Sequence, residues 1–482
     1  MSPFVVILTV AIYFIVLFGI SFLTSRNTDS NGFFIGNRKS PWFLVAIAMI
    51  GSSISGVTFV SVPGMVGASN FAYLQMVLGF VVGQIIIAFV LIPLFYKMNL
   101  VSIYEYLENR FGIASYKTGA WFFFISKMLG ASVRLFLVCI TLQLLVFDPL
   151  KLPFILNAFI TVLLVWLYTY KGGVKTLIWT DAFKTLCLII SVVLTIVFIA
   201  KDLQLNFTSM INTIKESDLS KAFFFEDIND KRFFFKQFLA GIFTMIATTG
   251  LDQDMMQRNL SCKNHKDSQK NMITSGISQF FIIAMFLMLG VLLYIYATKM
   301  NIALPESSDQ LFPLIATGGY FPLIVGILFI IGLISAAYSA AGSALTALTT
   351  SFTVDILQSK SKMSSVQQDE TRKKVHIGMA LVMILVIIVI ELLNNTSVID
   401  AVYILTSYTY GPILGLFAFG IFTKKQVKDK YIPLVAITAP ILCFIIDQNS
   451  EVWFNGYSFS YELLILNALF TILGLTLLIR KA

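Results

Sequence analysis

Residues Gly51 to Pro63 read Gly-Ser-Ser-Ile-Ser-Gly-Val-Thr-Phe-Val-Ser-Val-Pro, within an apolar stretch long enough to cross a bilayer. Serines, a threonine, two glycines and a proline are poor material for an ordinary lipid-facing helix. At membrane depth, backbone released from helical hydrogen bonding is tolerated only where protein or a wet cavity satisfies it. Interrupted helices of that kind are where secondary transporters hold ions and solutes. Close helix packing through small residues is the plainer explanation, and the stretch alone leaves both open.

The surrounding chain fixes the setting. Of 482 residues, 57% are hydrophobic and 12% charged, which describes a polytopic membrane protein rather than a soluble one. Aromatic residues make up 14%, with 45 Phe, as suits lipid-facing helices and interfacial belts. Apolar runs predict about thirteen spans, near 3–24, 43–68, 73–96, 118–147, 152–170, 178–200, 234–250, 272–298, 319–349, 375–393, 401–422, 432–447 and 461–479. Basic residues gather in alternate loops: Arg26, Arg38 and Lys39; Arg258, Lys263, Lys266 and Lys270; Lys360 to Lys374; Lys424 to Lys430. By the positive-inside pattern these loops are cytoplasmic, the N-terminus is outside, and Arg480-Lys481 is inside. The expected location is a cell membrane, most simply a bacterial inner membrane, with the lipid bilayer as partner.

The net charge of +9 therefore reflects topology and implies no nucleic-acid partner. The opening apolar run lacks a basic leader and a small-residue cleavage site, so it reads as a retained span. Cys139, Cys187, Cys262 and Cys443 are scattered, without metal or disulfide spacing. His265 and His376 are the only histidines, and no Walker loop is present, so neither zinc chemistry nor direct ATP coupling is supported.

Four cations remain within or beside spans: Lys127, Arg134, Lys184 and Lys236. Lys127 and Lys236 are near enough to span ends to snorkel. Arg134 falls near mid-span, where it needs a partner or a wet cavity. Its planar fork suits a carboxylate ligand, or a structural acid. Asp181 is the clearest intramembrane acid, either a cation ligand or half of an ion pair with Lys184 three residues on. Ser335, Ser339 and Ser343 recur every four residues, giving a hydroxyl face that fits close packing or an alkali cation.

Several short motifs occur in a shared order: Phe33-Phe34-Ile35-Gly36-Asn37-Arg38 with Pro41-Trp42, Tyr104 to Gly112, Gly172-Gly173-Val174-Lys175 with Trp179-Thr180-Asp181, Asp252-Gln253 with Gln257 to Leu260, Leu311-Phe312-Pro313 and Phe352 to Ile356. On these, nearly the whole chain resembles the sodium/solute symporter family, whose members share the LeuT-like inverted repeat. The resemblance implies an all-α polytopic membrane protein of about 13 transmembrane helices, a 5+5 inverted repeat with one extra N-terminal and two extra C-terminal helices. Its expected parts are 1–42 (extra helix and cytoplasmic loop), 43–202 (first repeat), 203–231 (extracytoplasmic loop), 232–422 (second repeat) and 423–482 (two C-terminal helices).

Carried over motif by motif, the family's main sodium site falls on carbonyls of Gly51, Ile54 and Ala336 and the hydroxyl of Ser339. Ala340 stands where a further hydroxyl is usual. A second sodium site, present in some members, maps to Asp181, Ser339, Gly342 and Ser343, but Gly342 lacks a side chain and Lys184 competes for Asp181. The sialic-acid branch holds its sugar acid with hydroxyls of the broken helix and an arginine, matched here by Ser53, Ser55, Thr58 and Arg134. Gln75 is a further expected contact. Galactose members differ, with Asn and an acid–amide pair where Ser53 and Val57-Thr58 stand.

The expectation is a transporter, not an enzyme. It would be a sodium-coupled symporter, with Na+ as coupling ion, importing a small polar solute, first of all sialic acid. A neutral sugar, a monocarboxylate or another nutrient is the alternative, and a transporter-like sensor is a remote one. A monomer should suffice, and Tyr410-Gly411-Pro412 is a candidate outer gate.

Overall fold

Inside hydrocarbon a single chain segment satisfies its own peptide groups only as a helix, and long apolar runs fold accordingly. The computed structural model describes residues 2–25, 38–100, 102–170, 173–358, 363–393 and 398–480. Arg26, Phe33 to Asn37, Gly172, Lys360 and Lys481 lie outside the described residues.

In chain order the helices are α1 (Pro3–Ser25), α2 (Trp42–Ser53), α3 (Gly56–Ser69), α4 (Tyr73–Lys97), α5 (Glu105–Arg110), α6 (Ile113–Phe147), α7 (Phe154–Thr169), α8 (Gly173–Asp202) and α9 (Phe207–Glu216). They continue as α10 (Phe234–Gly250), α11 (Gln253–Asn259), α12 (His265–Lys299), α13 (Leu311–Thr317), α14 (Leu323–Ile356), α15 (Ser365–Leu393), α16 (Val398–Phe422), α17 (Ile432–Trp453) and α18 (Leu463–Leu477). Among the described residues nine helices are long and apolar enough to cross a membrane. Two bent pairs, α2/α3 at 57° and α10/α11 at 70°, each make one further span, and α7 and α18 are shorter apolar helices. These are the thirteen expected segments. The bent pairs are the second and seventh in order, the spacing of two five-helix repeats preceded by one helix and followed by two.

The first break falls where the opening stretch put it. Ile54 and Ser55 are extended (ψ 92° and 172°), and helix resumes at Gly56. A Cβ on Gly56 would press on Ala337 of α14 at 3.1 Å, so the break packs tightly against that helix. α14 is the most enclosed span, with 78% of its apolar window buried, and both broken helices pack on it. The second break was not anticipated. The expected span 234–250 ends in a π-helical turn (Ile246–Gly250), and the chain then turns at Asp252 into the buried arm α11. The Asp252 carboxylate caps that arm, accepting from the N–H groups of Asp254 (2.9 Å) and Met255 (3.2 Å).

Pro412 lies inside a continuous α16 rather than at a hinge. Proline cannot donate to the carbonyl four residues earlier, which is that of Tyr408. Asn467 of α18 supplies the missing donor, its amide reaching the carbonyls of Tyr408 at 3.0 Å and Ser407 at 2.9 Å. Asn467→Leu is expected to cost about 1–3 kcal/mol, the desolvation cost of orphaned buried carbonyls, seen as a lower thermal unfolding midpoint in detergent.

Candidate solute and ion site

At the first break, the last carbonyls of α2 have no intrahelical donor. The Ile54 N–H closes back on Ile50 (2.9 Å) and the Phe59 N–H opens α3 on Ser55 (3.1 Å), leaving the Gly51 to Ile54 carbonyls between these two bonds. Gly51 is pinned on its other side, where a Cβ would strike the Thr185 side chain of α8. On α14 the buried Ser339 hydroxyl has no hydrogen-bond partner. Free carbonyls at the break and an orphaned hydroxyl on the helix packed against it are hard oxygen donors, the chemistry that suits an alkali cation.

Asp181 is differently occupied. Its Oδ1 lies 3.2 Å from Lys184 Nζ and its Oδ2 3.1 Å from Arg258 Nη1, with all three side chains buried. Lys184 also donates to the Tyr168 hydroxyl (3.1 Å) and the Tyr338 carbonyl (3.2 Å). Ser343 donates within α14, to the carbonyls of Ser339 (3.0 Å) and Ala340 (3.1 Å), and the space beside Gly342 is filled by Tyr168. Asp181, Ser339 and Ser343 are all buried, but two protein cations already stand on the one carboxylate among them.

A cavity opens beside the break, between α2/α3, α6 and α10/α11. Ser53, Ser55, Thr58 and Arg134, the residues singled out from the sequence as solute contacts, all line it. Among the described residues Arg134 forms neither a hydrogen bond nor an ion pair, although it is the cavity's only arginine. Gln75 is not among the lining residues. Its amide donates to the Arg232 carbonyl (2.8 Å) and accepts from the Phe224 N–H (3.1 Å), so it fastens the 221–232 segment onto α4.

The opposite wall went unrecognised in the sequence. Thr244, Thr248 and Thr249 of α10, with Gln279 of α12, face the same cavity. Their signal was present, since hydroxyl residues followed by Gly250 repeat the composition of the first break. Lys127, expected to snorkel, is instead buried at the cavity wall and lies 3.1 Å from Asp252 and 2.8 Å from Asp254. Arg258, grouped with the loop cations, is buried on α11. Tyr410, read as part of an outer gate, donates to Asp252 Oδ2 at the same wall. Tyr73 lines both this cavity and a recess bounded by Ser69, Asp230, Arg232 and Asp447, on the side of the 203–231 segment.

Two interrupted spans meeting across a hydroxyl-lined cavity, within a helical bundle repeated five and five, define a secondary active transporter. A family model described as the sodium:solute symporter family matches residues 33–429, and the chain belongs to that family. It is therefore a sodium-coupled membrane symporter and not an enzyme. The sodium/sialic acid symporter NanT of Aliivibrio fischeri is 24% identical over 457 residues, covering 87% of this chain and 83% of the relative. The sodium/sialic acid symporter SiaT of Proteus mirabilis is 26% identical over 428 residues, covering 84% and 82%. The fold matches a Na+-coupled sialic acid symporter solved in a substrate-bound outward-open state, with a TM-score of 0.83 at 21% identity over 99% of both chains.

Gln75→Ala should free the loop and leave the cavity intact. Hydrogen exchange is expected to rise in residues 221–232, while half-saturation by the transported solute stays within about twofold, well under the tenfold that 1.4 kcal/mol represents.

Proposed function

We propose that the chain imports a carboxylated polyol, sialic acid first, together with one sodium ion. The observation that carries this reading is Arg134, a fork of donors with no acid of its own, facing a cavity whose other walls bear hydroxyls. A carboxylate satisfies the arginine by a bidentate pair, and a chain of hydroxyls and an acylamide suit the serines, threonines and Gln279. Relatives named as sialic acid symporters support the same assignment. A neutral sugar would leave Arg134 without a counter-charge, and a short monocarboxylate would use the arginine but little of the α10 wall.

Sodium would bind the Gly51, Ile54 and Ala336 carbonyls and the Ser339 hydroxyl, holding α2/α3 against α14 while solute enters from the side of Tyr73. The second site at Asp181, Ser339 and Ser343 is left to Lys184, whose ammonium already neutralises the carboxylate. The basic loops are assigned to the cytoplasm and the N-terminus to the outside, with 43–202 and 232–422 as the two repeats and a monomer sufficient for transport in the bilayer.

Sodium-driven uptake into proteoliposomes, across labelled sialic acid, galactose and short monocarboxylates, tests the substrate. Sialic acid uptake should be strongest, and uptake of another solute alone would overturn the assignment. Arg134→Ala is expected to raise half-saturation by sialic acid ten- to a hundredfold, equivalent to about 1.5–3 kcal/mol for a charged hydrogen bond. Arg134→Lys should recover only part of this, because it restores charge without the fork. Ala340→Ser, which supplies a hydroxyl beside Ser339, should lower the sodium concentration for half-maximal uptake. One sodium with a monoanion moves no net charge, so sialic acid should evoke no steady current under an imposed voltage; a current scaling with uptake would require a second cation.

A further inference from the structure

Beside the solute cavity, six buried charges alternate in sign. Lys127 of α6 stands between Asp252 (3.1 Å) and Asp254 (2.8 Å). Arg258 stands between Asp254 (3.4 Å) and Asp181 (3.1 Å), and Lys184 ends the series on Asp181 at 3.2 Å. Tyr410 of α16 adds a hydroxyl to Asp252. Three acids and three bases cancel, so the ladder is neutral when assembled.

Its placement sets its role. Lys127 lies seven residues before Arg134 on α6, about 10 Å along the helix at 1.5 Å per residue. That displacement runs toward the end of α6 capped by Asp429 of the basic 424–430 segment, whose carboxylate accepts from the N–H groups of Ala114 (2.8 Å) and Ser115 (2.9 Å). The ladder thus lies between the cavity and the basic face of the bundle. Asp252, Asp254 and Arg258 belong to the 70° break and to the short arm α11, while their partners sit on α6, α8 and α16. A swing of α11 about Asp252 would part Asp254 and Arg258 from these partners.

Buried ion pairs contribute little net stability compared with apolar packing, because desolvation offsets their attraction. A seal that must open into water has a different requirement. An apolar seal resists wetting, whereas paired charges close as a neutral unit and are rehydrated when they part. Arg258 is the weakest rung, since its guanidinium lies near both carboxylates without a hydrogen bond aligned to either.

We propose that this ladder is the gate on the basic face of the solute cavity, with α11 as its moving arm. The inference rests on the reading above that solute leaves the cavity at that face. The test reports opening without needing transport, so a wrong substrate assignment leaves it intact. Thr248, on the cavity wall, is replaced by cysteine in a chain whose four native cysteines are changed to alanine. A membrane-impermeant maleimide is then applied to oriented proteoliposomes from each face separately. Tyr410→Phe is expected to speed labelling from the basic face severalfold, and Asp254→Asn about tenfold, the equivalent of one charge-assisted hydrogen bond. Labelling from the other face should not accelerate in either variant. Unchanged rates in both variants, or equal acceleration from both faces, would overturn the gate. If Asp254→Asn fails to elute as a folded protein, Tyr410→Phe, which deletes a single hydroxyl, decides the matter alone.

Discussion

A peptide carbonyl at membrane depth must find a donor or a cation, and between Gly51 and Ile54 the helix provides no donor. That single requirement organises the centre of the molecule. It explains why α14 runs enclosed past the break with small residues, why Gly56 approaches Ala337 so closely, and why Ser339 keeps an uncommitted hydroxyl there. Elsewhere the same requirement is met by protein: Asn467 serves the carbonyl that Pro412 releases, and the Asp252 carboxylate caps α11. At the first break the available partners are hard oxygens and small residues, a composition that suits the sodium ion proposed to bind there.

The two breaks divide the work by charge. The first carries hydroxyls and carbonyls and no ionisable group, as suits the exchangeable solute and ion proposed for it. The second carries Asp252, Asp254 and Arg258, all bound to fixed charges on other helices. Arg134 lines the same cavity as the hydroxyls of α10 and forms none of the ladder's ion pairs. An arginine paired within that ladder would already be neutralised, whereas on the proposed reading Arg134 is left for the solute's carboxylate.

Much of this was legible in the sequence. Hydropathy located the thirteen segments, and the Gly51–Pro63 composition located the first break. The resemblance to a family of known architecture then brought Ser53, Ser55, Thr58 and Arg134 together. What stayed hidden depends on contacts distant in sequence. Arg258 precedes Lys263, Lys266 and Lys270, so it has the look of a loop cation, and only the fold brings Asp181 to it. Lys127 is near enough to a span end to snorkel, and nothing local marks Asp252 and Asp254 as its partners. Gln75 failed differently: an amide beside a broken helix suits a solute or a loop equally, and the loop that claims it folds back from residues 224 and 232.

On the proposed reading, the ion side of the site has also been simplified. Ala340 removes a hydroxyl beside Ser339, and Lys184 places a covalently attached cation on the carboxylate that a second sodium would need. A tethered ammonium neutralises Asp181 in every state of the cycle, so it carries no energy from one side to the other. A second sodium crossing with a monoanion would add about 2.3 kcal/mol per 100 mV of membrane potential. Without it, accumulation is bounded by the sodium concentration ratio alone, about 1.4 kcal/mol for each tenfold. Such a transporter gives up concentrating power and in exchange is indifferent to membrane voltage, a sensible arrangement where the solute is consumed as fast as it enters.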